Sequence, residues 1–296
     1  EYDLVISVTS ESAKGIITKP HTRHISIILT PTRYIWSGYK DYFNNTIFRI
    51  LTSPVVAYLR FWDKIAANRP DQLIAISTTV QSRIKKYYDL NSEIIYPPLM
   101  IRNRLPLKGK EARIGKGARS SSPKNETGLV TEKRFSKKYF LVVSRLVPYK
   151  RVDIAIKAAN KLKIPLKIIG TGGEFANLKK MAGPTVEFLK YVNDADLKLY
   201  YENCKALIFP GVEDFGLTMV EAQAFGKPVI AYRAGGALDI LLEGKTGVFF
   251  DQQNYRSLSE VLKKFRPSRY NGLDCKRNAR RFSYEQFKKQ IVKMVE

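Results

Sequence analysis

The chain has few of the residues that bind transition metals or form disulfide frameworks. Its 296 residues include two histidines, His21 and His24, and two cysteines, Cys204 and Cys275. Two distant cysteines exclude a disulfide-stapled scaffold and fit a reducing cytoplasm. So few His and Cys residues also argue against a structural zinc site. No apolar run approaches the roughly 18 residues of a membrane-spanning helix, so we expect no integral membrane segment.

Acidic residues are scarce relative to basic ones. The chain has 51 Lys and Arg against 27 Asp and Glu, a formal net charge of +24, which favours polyanionic or phosphorylated partners. From Arg102 to Lys138, twelve basic and three acidic residues accompany glycines, Pro123 and a run of serines. We therefore predict an exposed basic linker over 103–138, either merely solvated or attracted to anionic lipid headgroups. No nucleic-acid-binding signature accompanies the charge, so nucleic acid is not an expected partner.

Short β-branched runs alternate with helical segments on both sides of this linker. The pattern predicts an α/β fold with parallel sheets, whose ligands bind beyond the carboxyl ends of the strands. Asp153 and Asp194 are the expected N-caps of two of the helices. The predicted strands span 4–8, 25–29, 73–76, 94–95, 140–143, 166–169, 186–189, 206–209, 228–231 and 247–250. The predicted helices span 78–88, 153–162, 178–181, 195–203, 216–225 and 236–242.

Two of the strand ends after the linker carry cations or glycines. Strand 140–143 leads into Arg145 and Lys150, which Pro148 holds in one loop, and two such cations converge readily on one anion. The alternative is a solvated basic loop. Strand 166–169 leads into Gly170 and Gly172, which permit close approach of the backbone to a ligand or form a plain turn.

Strand 206–209 is followed by the strongest chemical pattern in the chain. Glu213 lies in the loop, and Glu221 lies within an otherwise apolar helix, where a carboxylate is costly unless it is paired or binds something. The first N–H groups of that helix form a seat for phosphate, and Gly235–Gly236 are expected to open the next helix in the same way. Cations and N–H groups for phosphates, with carboxylates for hydroxyls, suit a nucleoside diphosphate joined to a sugar.

The order and spacing of several motifs resemble one enzyme family. "SRLVPYKRVD", "GTGGE", "FPGVEDFGLTMVEAQAFGKPVIAYRAGGALD" and "EGKTGVFFD" resemble the donor domain of family 4 retaining glycosyltransferases, also called group 1 glycosyltransferases. "TPTRYIW" and "ANRPDQLIAISTTVQSRIKKYY" are similar to the second half of their acceptor domain. The resemblance implies the GT-B fold, in which two Rossmann-like domains face each other across a cleft. We expect 1–102 to be the later part of the acceptor domain, incomplete at its start, 139–280 the donor domain, and 281–296 a helix returning to the first domain.

The resemblance also implies roles for individual residues. Arg145 and Lys150 would hold the donor diphosphate, Glu213 would bind sugar hydroxyls, and Glu221 would bind the ribose. No metal or other cofactor is implied, although Asp194 and Asp196 form an Asp-x-Asp pattern. The remaining donor-binding candidates are the cleft-lining Gly170 and Gly172, the base contacts Tyr191 and Val192, and the N–H groups of Phe215, Gly216 and Leu217.

One position departs from the family pattern. Many members have a histidine before the Thr-Pro of "TPTRYIW", and this chain has Leu29 there. His24 lies five positions earlier and faces the other side of a strand, so we interpret it and His21 as structural. The candidate acceptor-side contacts are Thr30, Arg33, Tyr34 and Trp36, for which the alternative is packing beneath the cleft.

The resemblance implies a cytoplasmic hexosyltransferase, peripheral on the inner face of the membrane. Its motif wording is similar to that of bacterial mannosyltransferases that use GDP-mannose to build surface polysaccharides or glycolipids. The expected partners are a nucleotide-sugar donor, a glycan or lipid-linked acceptor and an anionic membrane surface. Two alternatives remain: a transferase that uses a UDP-sugar, and an inactive protein that retains nucleotide-sugar binding.

Overall fold

The computed structural model describes residues 2–42, 45–100 and 138–296. Except for Lys138, the predicted basic linker lies outside the described residues. On either side of it the chain forms a domain built on a parallel sheet, with four and six strands. The predicted α/β class with two parallel-sheet domains is therefore confirmed.

The first domain has the sheet order β1-β2-β3-β4, and all its strands are parallel. Its buried centre is made of β-branched side chains such as Ile25, Ile28 and Ile74, which suits a parallel sheet covered on both faces. Its elements are β1 (Leu4–Thr9), β2 (Arg23–Ile28), α1 (Tyr39–Tyr42), α2 (Thr46–Ala67), β3 (Gln72–Ala75), α3 (Thr78–Tyr88) and β4 (Glu93–Ile94).

Helix α2 anchors the loop that follows β2. The Asp63 carboxylate of α2 is buried and accepts hydrogen bonds from Lys14 Nζ at 2.6 Å, Trp36 Nε1 at 2.8 Å and Tyr88 OH at 2.7 Å. A buried charge is tolerated when it is paired and fully hydrogen-bonded in this way. The segment from Thr30 to Trp36 is thereby fixed against α2 and α3. Within the described residues, no helix is both long and apolar enough to cross a bilayer.

The second domain has the sheet order β10-β9-β8-β5-β6-β7. The chain winds from β5 through β6 to β7 on one side and continues with β8, β9 and β10 on the other. The winding direction therefore reverses between β5 and β8, which is where ligands bind in open α/β sheets. Its strands are β5 (Phe140–Val143), β6 (Leu166–Ile169), β7 (Val186–Phe188), β8 (Leu207–Phe209), β9 (Val229–Tyr232) and β10 (Gly247–Phe250).

Helices cover both faces of this sheet and continue to the end of the chain. They are α4 (Val152–Leu162), α5 (Phe175–Met181), α6 (Asp194–Asn203), α7 (Leu217–Ala224), α8 (Ala237–Ile240), α9 (Tyr255–Lys264), α10 (Gly272–Ala279) and α11 (Tyr284–Val295). In α11, Met294 is buried and the Val295 carbonyl accepts a hydrogen bond from Arg23 Nη1 at 3.5 Å. The last helix therefore contacts the first domain.

Two predicted helix caps are wrong. Helix α4 follows Arg151, which has a left-handed backbone, and Asp153 lies in the first turn, where it accepts from Arg151 Nε at 3.0 Å. Helix α6 is capped by Asn193, whose Oδ1 accepts from the N–H of Asp196 at 2.9 Å. Asn193 has the extended backbone that an N-cap requires, whereas Asp194 is already helical.

The two domains share buried contacts. Phe215 of the second domain stacks on Tyr96, with ring centroids 5.8 Å apart, and both rings pack edgewise on Phe282. Asp239 in α8 accepts from Thr78 Oγ1 at 3.0 Å and from Tyr96 OH at 3.1 Å. The start of α3 is thereby joined to α8 of the second domain.

Candidate active site

Lys150 and Glu213 meet beyond the carboxyl ends of β5 and β8. Lys150 ends a short 3₁₀ turn, Pro148–Lys150, and its Nζ forms an ion pair with Glu213 Oε1. The two loops touch at Gly211, where an added Cβ would lie 2.9 Å from the Cα of Lys150. Glycine at 211 therefore permits the contact that brings the ammonium group to the carboxylate.

The Lys150 ammonium group lies in a buried and cationic environment. The residue is only 8% exposed. Burial lowers the pKa of Lys150 to about 8, with Arg145 and Arg33 acting in the same direction and Asp214 opposing them. Desolvation and neighbouring positive charge both disfavour the protonated form. An anion bound here would relieve the repulsion among these cations.

Tyr149 is the common neighbour of these three cations. Arg145 Nη2 donates to the Tyr149 hydroxyl at 2.9 Å, and Lys150 Nζ lies 5.1 Å from the centre of its ring. The guanidinium carbon of Arg33, from the first domain, lies 4.7 Å from the same centre. Sequence reasoning overlooked Tyr149 and placed Arg33 among the acceptor-side contacts. The structure instead gathers Arg33 with the two predicted phosphate-binding cations.

A second cross-domain contact lies beside Glu213. Asp214 forms an ion pair with Arg83 of α3, and Arg83 Nη1 also donates to Thr30 Oγ1 at 3.2 Å. Thr30 is buried. Asp214 adjoins Glu213 in its motif, and Arg83 lies within "ANRPDQLIAISTTVQSRIKKYY", so both belong to recognised motifs, although neither was assigned a role. This contact joins the Glu213 loop to the first domain.

Helix α7 begins directly after this loop. Gly216 is its N-cap, with a left-handed backbone at φ 103°, and Leu217 is its first residue. Within the described residues, the N–H groups of Phe215, Gly216 and Leu217 donate to no backbone acceptor. The Phe215 ring is buried, so its contribution to a ligand site is its N–H. These donors retain the arrangement of an anion-binding helix start.

The predicted second phosphate seat at Gly235–Gly236 lacks one of its expected donors. The N–H of Gly236 donates to the carbonyl of Glu213 at 2.8 Å. Helix α8 after it has only one turn, Ala237–Ile240. Gly236 therefore holds the Glu213 loop through a backbone hydrogen bond, and its N–H is not available to a phosphate.

The remaining donor-side candidates lie in α7 and in the segment after β7. Glu221 Oε2 accepts from Tyr201 OH at 2.8 Å, which orients the carboxylate predicted to bind ribose. Tyr191 is 83% exposed and Val192 is half-buried; both follow β7.

Gly170 and Gly172 pack against the loop after β5. At Gly170, with φ 143°, an added Cβ would lie 1.8 Å from the carbonyl oxygen of Ser144, and at Gly172 it would lie 2.3 Å from that of Leu146. These positions require glycine because two protein backbones meet there. The contact shapes the loop that carries Arg145, and lining of a nucleotide cleft stays a prediction.

The first-domain candidates have different surroundings. Trp36 is packed within its own domain, since its indole N–H donates to Asp63 and its ring stacks on Tyr87 at 4.9 Å. This is the packing role that we considered as the alternative to an acceptor contact. Tyr34 is more open and makes an edge contact with Tyr42.

Leu29, at the position of the family's histidine, and His24, five residues earlier, differ in exposure. His24 is buried, with Nε2 2.9 Å from Ser7 Oγ, whereas Leu29 is 37% exposed. The placement of His24 agrees with its interpretation as structural.

No metal-binding cluster is present in the described part of the chain. No group of three His, Cys, Asp or Glu residues there is arranged to hold an ion. Asp194 and Asp196 lie in the first turn of α6. Independence from metal stays a prediction from the resemblance.

Sequence comparisons identify relatives across the second domain. The family model for "Glycosyl transferases group 1" matches residues 129–282, just over half of the chain. An uncharacterized glycosyltransferase of Methanocaldococcus jannaschii is 30% identical over 185 residues, which cover 60% of this chain and 50% of that protein. A GDP-mannose-dependent alpha-(1-6)-phosphatidylinositol monomannoside mannosyltransferase of Mycolicibacterium smegmatis is 33% identical over 138 residues, 40% of this chain and 36% of that protein. The chain spans half or less of the length of these curated relatives.

Solved structures share the whole two-domain arrangement. Sucrose-phosphate synthase from Thermosynechococcus elongatus superposes with a TM-score of 0.73 at 14% identity, covering 99% of this chain and 73% of that one. Anabaena HepE in complex with UDP superposes with a TM-score of 0.68 at 19% identity, covering 92% and 72%. At such identities the likeness establishes the fold. With its family-model match and two parallel-sheet domains, the chain belongs to the group 1 glycosyltransferases and has the GT-B fold.

Proposed function

We propose that the protein transfers a hexose, with retention of anomeric configuration, from a nucleoside diphosphate sugar to a glycan or lipid-linked acceptor. The observation that carries the proposal is the Lys150–Glu213 ion pair, with Arg145 held beside it through Tyr149, at the reversal point of the second sheet. This set joins cations for a diphosphate to a carboxylate for sugar hydroxyls. Such a pairing suits a sugar nucleotide better than a free phosphate or a free sugar.

Charge stabilisation would supply most of the catalysis. When the bond between the sugar and the diphosphate breaks, negative charge develops on the departing phosphate oxygen. Lys150 and Arg145 would neutralise this charge, and the N–H groups of Phe215, Gly216 and Leu217 would add donors fixed in position. Glu213, which pairs with Lys150, would accept from sugar hydroxyls. No metal ion is part of this proposal.

The nucleoside would extend from the diphosphate across the second domain. Glu221 would accept from the ribose hydroxyls, in an orientation set by Tyr201. The base would lie toward Tyr191 and Val192, beside the loop containing Gly170 and Gly172. Thr30 and Tyr34 remain candidate acceptor-side contacts.

GDP-mannose is the donor that we propose. Two relatives, from Mycolicibacterium smegmatis and Corynebacterium glutamicum, are named GDP-mannose-dependent mannosyltransferases and are 33% and 32% identical over the matched residues. A UDP-sugar is the second candidate, because the Anabaena neighbour was solved with UDP and with UDP-glucose. An inactive nucleotide-sugar-binding protein is the third, because Leu29 replaces the family's usual histidine.

We place this activity in the cytoplasm, at an anionic membrane surface. A net charge of +24 favours attraction to anionic headgroups, and one relative is named for a phosphatidylinositol mannoside acceptor. Sedimentation with vesicles of phosphatidylglycerol and phosphatidylcholine at low and physiological salt tests this part. An absence of binding to the vesicles that contain phosphatidylglycerol, at both salt concentrations, would contradict it.

The donor is tested with a panel of nucleotide sugars. GDP-mannose should raise the thermal midpoint of the chain by mass action, and the same mixture with acceptor or water should release GDP. Stabilisation by UDP-sugars alone would select the second donor. Stabilisation without release of any nucleoside diphosphate, with acceptors or water, would favour the inactive binding protein. No stabilisation by any nucleotide sugar would contradict the proposal.

A further inference from the structure

Arg33 is a first-domain cation that faces the second domain. Its guanidinium lies over the ring of Tyr149, the residue that also contacts Arg145 and Lys150. The side chain is half-buried, and its Nε is buried without a hydrogen-bond partner. A desolvated guanidinium donor is expensive to leave unpaired. Its position therefore points to a ligand with acceptor oxygens.

The ion pairs around the site do not neutralise all of its positive charge. Lys150 forms an ion pair with Glu213, and Asp214 forms one with Arg83. Within the described residues, neither Arg33 nor Arg145 has a carboxylate partner. Two guanidinium groups that share the surroundings of one aromatic ring repel each other until an anion lies between them. A diphosphate carries enough negative charge to balance both, and Arg145 on the same ring is already proposed to bind it, which favours this anion over the phosphate of a lipid-linked acceptor.

Tyr149 suits the task of holding these cations. A guanidinium above an aromatic face is attracted by the ring and keeps its N–H groups free at its edge. The hydroxyl of the same ring accepts from Arg145 at 2.9 Å. One side chain thereby orients arginines from both domains toward the end of β5.

We propose that Arg33 binds the donor diphosphate from the first domain, as a third cation beside Arg145 and Lys150. The diphosphate then bridges the two domains, and its departure breaks a link between them. This inference rests on the proposed function, because it takes a nucleoside diphosphate as the ligand. It replaces the acceptor-side role predicted for Arg33 from the sequence.

Binding of GDP and UDP to the full chain, each compared with its nucleoside, tests the inference. In Arg33→Gln, affinity for the preferred nucleoside diphosphate should fall at least tenfold, about 1.4 kcal/mol, while affinity for guanosine or uridine should change less than twofold. Arg33→Lys should recover part of the loss because it restores the charge without the planar group. Arg60→Gln is the matched control, because Arg60 stacks on Trp36 and Tyr39 within the first domain; its nucleotide affinity should match that of the parent.

The remaining outcomes distinguish failure of the role of Arg33 from failure of the proposed function. If Arg33→Gln binds the nucleoside diphosphate within threefold of the parent while Lys150→Ala loses more than tenfold, the role of Arg33 is refuted and the proposed function stands. If the parent binds neither GDP nor UDP, the proposed function fails and the inference falls with it. If Arg33→Gln does not fold, Arg33→Lys and Tyr149→Leu carry the test, and undiminished affinity in both overturns the inference.

Discussion

Lys150 is a buried lysine whose neutralising partner, Glu213, is itself proposed to bind substrate. Replacement of Lys150 by Met should lower kcat/KM at least 100-fold, because the departing diphosphate loses a positioned cation in a desolvated site. The matched control is Lys167→Met. Lys167 lies on β6, is also 8% exposed, and donates to the Glu187 carboxylate of β7 at 2.5 Å. Steady-state kinetics of both variants provide the measurement. A loss below tenfold for Lys150→Met would contradict its role.

The lowered pKa of Lys150 predicts a pH dependence of donor binding. Burial lowers its pKa from the usual 10.5 to about 8, so the group is positive below pH 8 and loses its charge as the pH rises through that value. Affinity for the nucleoside diphosphate should therefore decline above about pH 8. In Lys150→Arg the charge persists, and the decline should move to higher pH. Equal affinity of the parent at pH 7 and pH 9.5 would show that the ammonium group does not bind the anion.

His24 predicts a separate dependence of stability on pH. Burial lowers its pKa below the usual 6.5 of a histidine, and the nearby Asp71 carboxylate opposes that shift. The unfolded chain therefore binds a proton more readily than the folded one, and the free energy of unfolding should fall as the pH drops through 6.5. Urea denaturation at pH 5 and pH 7.5 measures the difference, which should shrink in His24→Gln. His21→Gln, at an exposed position, is the matched control.

Single residues were predictable from sequence where the loops that directly follow buried strands carry the chemistry. Arg145, Lys150 and Glu213 each follow a buried strand, and parallel strands bring their carboxyl ends to one edge. Arg33 and Tyr149 are far apart in the sequence and lie in different domains, so spacing could not relate them. The misplaced caps at Asp153 and Asp194 have different local causes. Asn193, next to Asp194, adopts the extended cap conformation, whereas the helix containing Asp153 starts at Val152 after the left-handed Arg151 and has no side-chain cap.

The secondary structure elements show which sequence signals are reliable. Strands β5, β6 and β10 have the predicted bounds because each is a short buried run between turn residues. Helix α2 was not predicted at all. It contains Pro54, and several of its apolar residues, including Phe48, Leu51 and Phe61, are exposed while Asp63 is buried. Its apolar residues nevertheless recur at helical spacing, as at Ile47, Leu51 and Val55, so the sequence carried a helix signal and the prediction failed to use it.

The contact between α8 and α3 yields a prediction for domain association. Asp239 accepts from the N–H of Thr78 at 3.2 Å, from Thr78 Oγ1 and from Tyr96 OH, all from the first domain or the segment leaving it. Asp239→Ala should lower the free energy of unfolding by about 2–3 kcal/mol, because hydrogen bonds to a buried carboxylate are lost. Chemical denaturation measures the change. Asp274→Ala, which removes a surface pair with Arg277, should stay within about 0.5 kcal/mol of the parent.

At the scale of the whole molecule, the two domains share one hydrophobic cluster. It contains Ile74 and Ile84 from the first domain, Phe215 and Val220 from the second, and Met294 from the last helix. Elements that share a buried core tend to unfold together, whereas domains joined only by a linker unfold separately. We therefore expect the nucleotide site and the first domain to be coupled in stability.

The positions of the two tryptophans make this coupling measurable. Trp36 and Trp62 are the only tryptophans of the chain, and both lie in the first domain, while most proposed nucleotide contacts lie in the second. A nucleoside diphosphate at 100 times its Kd should stabilise the tryptophan-detected transition by about 2.7 kcal/mol. Phe282→Ala removes the ring that packs on both Tyr96 and Phe215, and it should weaken this response relative to the parent. A tryptophan transition that does not respond to bound nucleotide in the parent would mean that the domains unfold independently despite their shared core.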